Sequence, residues 1–521
     1  MTTTEYKKPG ALTFLLLLTG AMFLIWYPEV FVTGDGPCHV HNAIAWREMW
    51  FHNNAFYTNF YELNPSLSPN YTSHVLLAIL TLVFKPIVAE KVLLSVYAWG
   101  FILGFLKLHE QLKAKNSVFL PLVLVLTFQS LLYLGFYNFI LSIVFYQLMM
   151  AWYIKQIEKP KPSFWLKLSI AMLVLYFTHL AGLFLFLLSI GVHMLTTTTY
   201  KSWFWRGSKI VLACLPALWL TVIYITHQPK AVSTHYLDTD RLKIMLREAS
   251  VFQVAKSAEA YYTQVIFWIC LFGLVWSLFQ VAKKKQWNKS WPFILLIFFI
   301  GAYFVAPENA FGGEQLKQRI QWITYLYAVL LISLIELPRW IRWLSVGLSI
   351  VLVVSLCKFQ WRYMKQTNQL TQGLRAVSSV ITTHSTVLPL CFNTFGEMEG
   401  KTISDFGRHN NHLGELIQGN KDIVFMDNYE ANTTYFPLRY KNDINPFIFL
   451  GDQEAKPPVV SLTDYTKRCA IDYILLFNLT ENDRRSDAYQ HLILEMNGTY
   501  RNAYSDTDSS VLLFKRMNET L

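Results

Sequence analysis

The chain has 521 residues, of which 53% are hydrophobic, 16% aromatic and only 15% charged. Several apolar runs reach the ~18–20 residues that span a bilayer, which excludes an ordinary soluble enzyme and implies a polytopic membrane protein. The formal charge of +11 does not point to nucleic acid: residues 1–362 hold 30 Lys/Arg against 15 Asp/Glu, whereas residues 363–521 hold 15 against 19. The basic excess therefore belongs to the membrane half, where short basic loops mark the cytoplasmic side.

In chain order, spans are predicted at 11–32, 90–107, 117–134, 139–156, 163–179, 181–198, 208–226, 263–282, 291–306, 319–337 and 341–358. The first follows Lys7 and Lys8 without a small-residue cleavage site and reads as an uncleaved span. The connectors KLHEQLKAK, KQIEKPKPSFWLK, YKSWFWRGSK, AKKKQWNK and PRWIR are basic, as is the N-terminal YKK, so all are assigned to the cytoplasm. Loops 33–72, 227–262 and 307–318, and everything after 358, then fall outside. The apolar stretch 73–84 (SHVLLAILTLVF) is too short for a span and would invert every later loop if counted; it is read as short, tilted or re-entrant. This gives a multi-pass protein of the plasma (inner) membrane, with a cytoplasmic N-terminus and two domains. Residues 1–362 form a transmembrane domain with a first outer loop at 33–72. Residues 363–521 form a small extracytoplasmic α/β domain, read from the apolar runs STVLPLCF, DIVFMD, DYILLFN and SSVLLFKR and the helical stretch DAYQHLILEMN. Cys391 and Cys469 share that domain, and a disulfide between them is left open.

The chemistry concentrates at the outer ends of the spans. VTGDGPCHVHNA, residues 32–43, sets Asp35 in a Gly-Asp-Gly-Pro turn directly after the first span, ahead of a segment suited to an interfacial helix. Asp35 is either a reactive carboxylate at the membrane surface or the cap of that helix. His39 and His41, two apart, would diverge on a helix rather than chelate one ion; each is a phosphate or hydroxyl contact or a solvated interfacial histidine. His74 opens the short segment, and His179 stands in a tight outer turn (YFTHLAG), as a functional group or as packing. In PENAFGGEQLKQRIQW, Gly312 and Gly313 precede Glu314, Lys317 and Arg319, two cations able to clamp a lipid phosphate or to anchor headgroups.

A first span, an acidic outer loop with an interfacial helix, a many-span core and an outer C-terminal domain resemble the GT-C superfamily of polytopic glycosyltransferases, which includes protein O-mannosyltransferases and lipid A aminoarabinose transferases. At residue level the resemblance rests on TGDGPCHVHNA, NPSLSPNYTSH and LYLGFYNFILSI. It implies transfer of a sugar from a polyprenyl-(pyro)phosphate donor to a glycan, lipid or protein acceptor on the outer face, with Asp35 catalytic and membrane lipids as the surroundings. Family members often pair that Asp with a neighbouring acid, but Gly36 follows here, and the comparable later turn offers Asn138 in place of a carboxylate. A divalent metal is left open on these grounds. His39, His41, Asn138, His179, Glu314, Lys317 and Arg319 are the substrate-binding candidates. The alternative is a transporter or flippase of a lipid-linked glycan precursor. Against it stand spans almost free of charge at their centres and the lack of an internal repeat. A non-catalytic scaffold would need one span rather than eleven.

Overall fold

Long apolar segments form helices because a helix satisfies all its backbone donors and acceptors within the segment. The computed structural model describes residues 11–197, 200–227, 235–284, 291–310, 313–398, 400–406 and 410–517. The N-terminal YKK and Gly312 lie outside the described residues, as does part of the AKKKQWNK connector. The chain is mostly helical and divides into two units. Unit 1 comprises residues 1–24, 95–132 and 137–360; unit 2 comprises 25–94, 133–136 and 361–521.

Among the described residues, six helices are long and apolar enough to cross a membrane: Pro86–Gln111, Tyr137–Ile157, Leu180–Thr197, Phe204–His227, Ser257–Gln280 and Arg339–Val377. Leu12–Trp26, Leu122–Tyr133, Pro162–Thr178 and Trp291–Val305 are apolar but shorter, and Leu316–Ser333 carries Lys317 and Arg319 in its first turn. These six mark a membrane protein, although fewer helices qualify than the eleven expected from the apolar runs. The segment 117–134 shows why the count falls, since it breaks into Leu122–Thr127 and Ser130–Tyr133. Within unit 1 the helices expose Val211, Leu212, Trp219, Phe272 and Val275, the kind of outward apolar face that lipid covers.

Unit 2 is built on a five-stranded mixed sheet. Five strands compose it: β1 (Ser385–Cys391), β2 (Ile423–Phe425), β3 (Tyr473–Phe477), β4 (Tyr500–Ser505) and β5 (Leu512–Arg516), in the order β4-β5-β3-β1-β2. β1 runs parallel to both β2 and β3, while β5 is antiparallel to its neighbours. β1 and β3 are buried along their whole length, hence their unbroken apolar sequences STVLPLC and YILLF. Pro389 is tolerated in β1 because β2 pairs only with Ser385–Val387, so no ladder bond is lost.

The compositional boundary at 362 falls close to the junction at 360/361, but unit 2 also includes the first outer loop. Tyr61–Leu63 from that loop pairs antiparallel with Leu438–Tyr440, and Ala45, Met49, Tyr57 and Tyr61 join the apolar core with Leu388, Leu390, Val424 and Leu476. The stretch at 73–84 is a nine-residue helix, Thr72–Leu80, about 13 Å long at 1.5 Å per residue. Cys391 and Cys469 are both free thiols. Cys391 instead contacts Asn410 O and Asn478 Nδ2.

Candidate functional site

All groups of the candidate site belong to unit 2. Parallel strands leave a crevice beyond their carboxyl ends, the usual place for chemistry in an α/β sheet. The run Asp427-Asn428-Tyr429-Glu430 leaves the sheet just past the end of β2, and helix Gly36–His52 lies against it.

Asp35 stands at the N-cap position of that helix, with Pro37 in the first turn, yet its side chain makes no capping hydrogen bond. Its backbone is laced to residues 133–136: Gly34 N donates to Tyr133 O at 2.8 Å and Asp35 N to Leu134 O at 3.0 Å. Gly135 in that segment has φ of +90°, and a Cβ there would lie 2.7 Å from Asp35 N. Only glycine fits so close an approach. The Asp35 carboxyl is half-buried and accepts a hydrogen bond from the Tyr429 hydroxyl. Enclosure by its neighbours pushes its pKa up to about 7, against the pull of His39 and with a further push from Glu430. A carboxyl that keeps an accessible face and exchanges its proton near neutrality has the properties of a general base or acid.

One turn along the helix, His39 directs Nδ1 at Glu430 Oε1, while Nε2 lies 2.9 Å from Gly135 O. Both partners carry only acceptor atoms, and the ion pair with Glu430 favours the imidazolium form of the ring. Burial opposes that charge, but Glu430 first and Asp35 after it outweigh the burial and lift the pKa to about 9. Glu430 is fully buried and also meets His74 Nε2 at 2.9 Å and Asn42 Nδ2 at 2.5 Å. Burial alone would raise its pKa; the two histidines reverse this and hold it well below the usual carboxylate range. Asn42 and Asn428 exchange amide hydrogen bonds at 3.1 and 2.7 Å, and the Cys38 thiol donates to Asn428 Oδ1 at 3.3 Å.

A second cluster lies beside the first in sequence. His412, Glu415 and Asp427 are all buried, with His412 Nδ1 4.0 Å from Glu415 Oε1 and 3.9 Å from Asp427 Oδ2. Burial, reinforced for Glu415 by Asp427, holds both carboxyls well above their usual range, and burial drags His412 down to about 3.

The expected site residues therefore divide. Asp35 and His39 share one constellation. His41 does not join them, because residues two apart on a helix point in different directions. Its Nδ1 lies 3.1 Å from Gln418 Oε1 and its Nε2 3.1 Å from the Tyr61 hydroxyl, so both nitrogens serve the packing. Neither histidine is solvated at an interface; both are buried. In unit 1, Arg319 Nη1 lies 2.9 Å from His179 Nε2, and its guanidinium covers the Phe139 ring at 4.9 Å. Lys317 does not pair with Arg319 in a clamp. It is buried and donates from Nζ to Tyr303 O at 2.6 Å and Phe304 O at 3.3 Å, neutralising the carboxyl end of helix Trp291–Val305. Glu314 is exposed and Asn138 buried at the start of helix Tyr137–Ile157.

Glu430, Tyr429, Asn42, His412, Glu415 and Asp427 escaped the sequence reading. The available signal was the change from the apolar IVF of β2 to the polar quartet DNYE, at a place where a parallel strand delivers chemistry. No protein-family model matches the chain, and no curated protein matches it either.

Proposed function

We propose that the protein is a GT-C-like membrane glycosyltransferase that moves a sugar from a polyprenyl-(pyro)phosphate donor to a glycan, lipid or protein acceptor on the outer face. In this reading the chain crosses the membrane eleven times, with the basic connectors in the cytoplasm and unit 2 outside. The observation that carries the reading is Asp35: a half-buried carboxyl, with a pKa lifted to about 7, just after the first apolar helix. Deprotonated, it takes the proton from the acceptor hydroxyl as the sugar leaves its phosphate. The Tyr429 hydroxyl orients it, and the His39 imidazolium beside it favours the charged form. Within unit 1, Arg319 is the remaining candidate for binding a lipid phosphate from the expected pair, since Lys317 is engaged by backbone carbonyls. The test is mass spectrometry of envelope glycans and lipid-linked intermediates in cells with and without the protein. Accumulation of a glycosylated polyprenyl phosphate with loss of one sugar from a product supports the reading; unchanged glycans and intermediates refute it.

The transporter reading has one observation in its favour. Within unit 1 the hydroxyls of Tyr146, Ser189 and Tyr327 meet near the middle of three apolar helices, with Ser189 Oγ 3.1 Å from each tyrosine oxygen. That cluster is neutral, whereas intramembrane transport sites are commonly ionisable. Reconstituted vesicles separate the readings: translocation of the intact lipid-linked sugar without a new glycosidic bond would favour transport.

A further inference from the structure

Two buried acids and a histidine whose facing atoms are left without hydrogen bonds form an arrangement that the Asp35 chemistry does not use. We propose that His412, Glu415 and Asp427 form a binding site for one divalent transition-metal ion, Zn2+ or Mn2+, within unit 2. The inference does not depend on the transferase reading.

Three observations support it. His412 Nδ1 lies 4.0 Å from Glu415 Oε1 and 3.9 Å from Asp427 Oδ2, and the three groups offer ligand atoms that all lie within 4.8 Å of one another. With two edges near 4 Å and the third no longer than 4.8 Å, the equidistant point lies roughly 2.3–2.5 Å from each atom, within about half an ångström of ordinary Zn–N and Zn–O bonds. The side chains of His412, Glu415 and Asp427 are only 4%, 0% and 9% exposed. His412 Nδ1, both Glu415 oxygens and Asp427 Oδ1 meet no protein hydrogen-bond partner among the described residues. The nearby Cys38 thiol donates to Asn428, and the Lys456 ammonium to Cys391 O at 3.1 Å, so neither neutralises the acids by direct bonding. Lys456 acts on Asp427 only through space; buried carboxylates short of hydrogen-bond donors are strongly disfavoured, and a cation would relieve all three groups at once.

The donor set selects the metal. One imidazole and two carboxylates suit Zn2+ or Mn2+, whereas Ca2+ and Mg2+ prefer oxygen ligands alone. The ring is already held: Tyr429 stacks on it at 4.9 Å between centroids, and its Nε2 lies 3.1 Å from the Asn411 amide. Asn411 Nδ2 faces that Nε2; with the amide turned over, Oδ1 would accept from Nε2–H and leave the Nδ1 lone pair facing the acids, the usual outer support of a metal-bound histidine. Glu454 Oε1, 4.0 Å from Nε2, adds a further negative charge nearby.

The test uses tag-free, full-length protein purified in detergent, stripped with chelator, and titrated separately with Zn2+ and Mn2+ by calorimetry, with thermal unfolding in parallel. One equivalent of one of these ions should bind and raise the unfolding temperature. In the Glu415→Gln/Asp427→Asn double variant, affinity should fall by more than the ~10–100-fold that loss of an outer-shell partner costs. Its metal-free unfolding temperature should be no lower than that of the wild type, because two buried carboxyls poorly supplied with hydrogen-bond donors have been replaced by neutral amides. If that variant does not fold, His412→Gln takes its place and should lose the metal equally. Wild-type protein that binds neither ion in stoichiometric amount overturns the proposal. So does undiminished binding in a folded variant, or binding that is lost in Glu430→Gln but kept in the double variant.

Discussion

The two histidine–carboxylate clusters of unit 2 use the same residue types and reach opposite electrostatic outcomes. In the first, Glu430 is flanked by His39 and His74 and bonded by Asn42. In the second, Glu415 and Asp427 face a single histidine about 4 Å away, and neither oxygen of Glu415 receives a hydrogen bond among the described residues, whereas Glu430 Oε2 receives two. Burial is nearly complete in both, so the difference lies in the count of donors per acid. A buried carboxylate with donors on its oxygens stays ionised; without them it must take up a proton or a cation.

The largest expected effect follows from breaking the paired cluster. Glu430→Gln removes the charge that balances buried His39, and breaking a buried pair in this way costs about 3–5 kcal/mol. Thermal or denaturant unfolding of purified protein measures it. The same pair sets a pH profile. His39 is raised from 6.5 to about 9, so its contribution is complete below pH 6.5 and lost as pH rises through 9. Glu430 is depressed below 4.5, so its contribution is present above pH 4.5 and lost as pH falls through its lowered value. Asp35, raised from 3.8 to about 7, tilts stability downward as pH climbs through that interval. Unfolding temperature should therefore fall between pH 6.5 and 9, and Glu430→Gln should make that alkaline fall shallower, leaving the share contributed by Glu415 and Asp427. An alkaline limb of wild-type steepness in the variant would assign it to other groups.

Arg319 and Lys317 sharpen a second contrast, between two cations two residues apart. Arg319→Ala should weaken binding of a polyprenyl phosphate by about 1.5–3 kcal/mol, the range for hydrogen bonds to charged groups, with a smaller loss of stability. Gly135→Ala follows: its Cβ would lie 2.7 Å from Asp35 N, and overpacking of this kind costs about 1–3 kcal/mol. Its unfolding temperature should drop, and activity should drop further as Asp35 shifts. Lys317→Met should cost only about 0.3–1 kcal/mol of stability, the usual value of a cation at a helix carboxyl terminus, and should leave phosphate binding unchanged.

Local signals made some of this legible. The Gly-Asp-Gly-Pro turn and the diverging His39 and His41 follow from turn chemistry and helical spacing, and the apolar β1 and β3 runs from period and length. The short helix Thr72–Leu80 follows from the bilayer's thickness. What stayed hidden depends on pairings far apart in sequence. Tyr61–Leu63 joins Leu438–Tyr440, and that pairing belongs to the unit in which His39 meets Glu430. Lys317 carries a charge that suits phosphate, and only the carbonyls of Tyr303 and Phe304 reveal its structural use. The single break of 117–134 into two short helices was equally invisible to an apolar count.

The central claim is that Asp35 accepts a proton in group transfer, and Asp35→Asn tests it most directly. The side chain makes no capping bond, so the substitution spares the helix start while removing the charge and the proton-accepting oxygen. Transfer of sugar from the lipid-linked donor, measured at matched protein level and equal unfolding temperature, should fall by about 10²–10⁴-fold. Turnover close to that of the wild type in the folded variant would contradict the account.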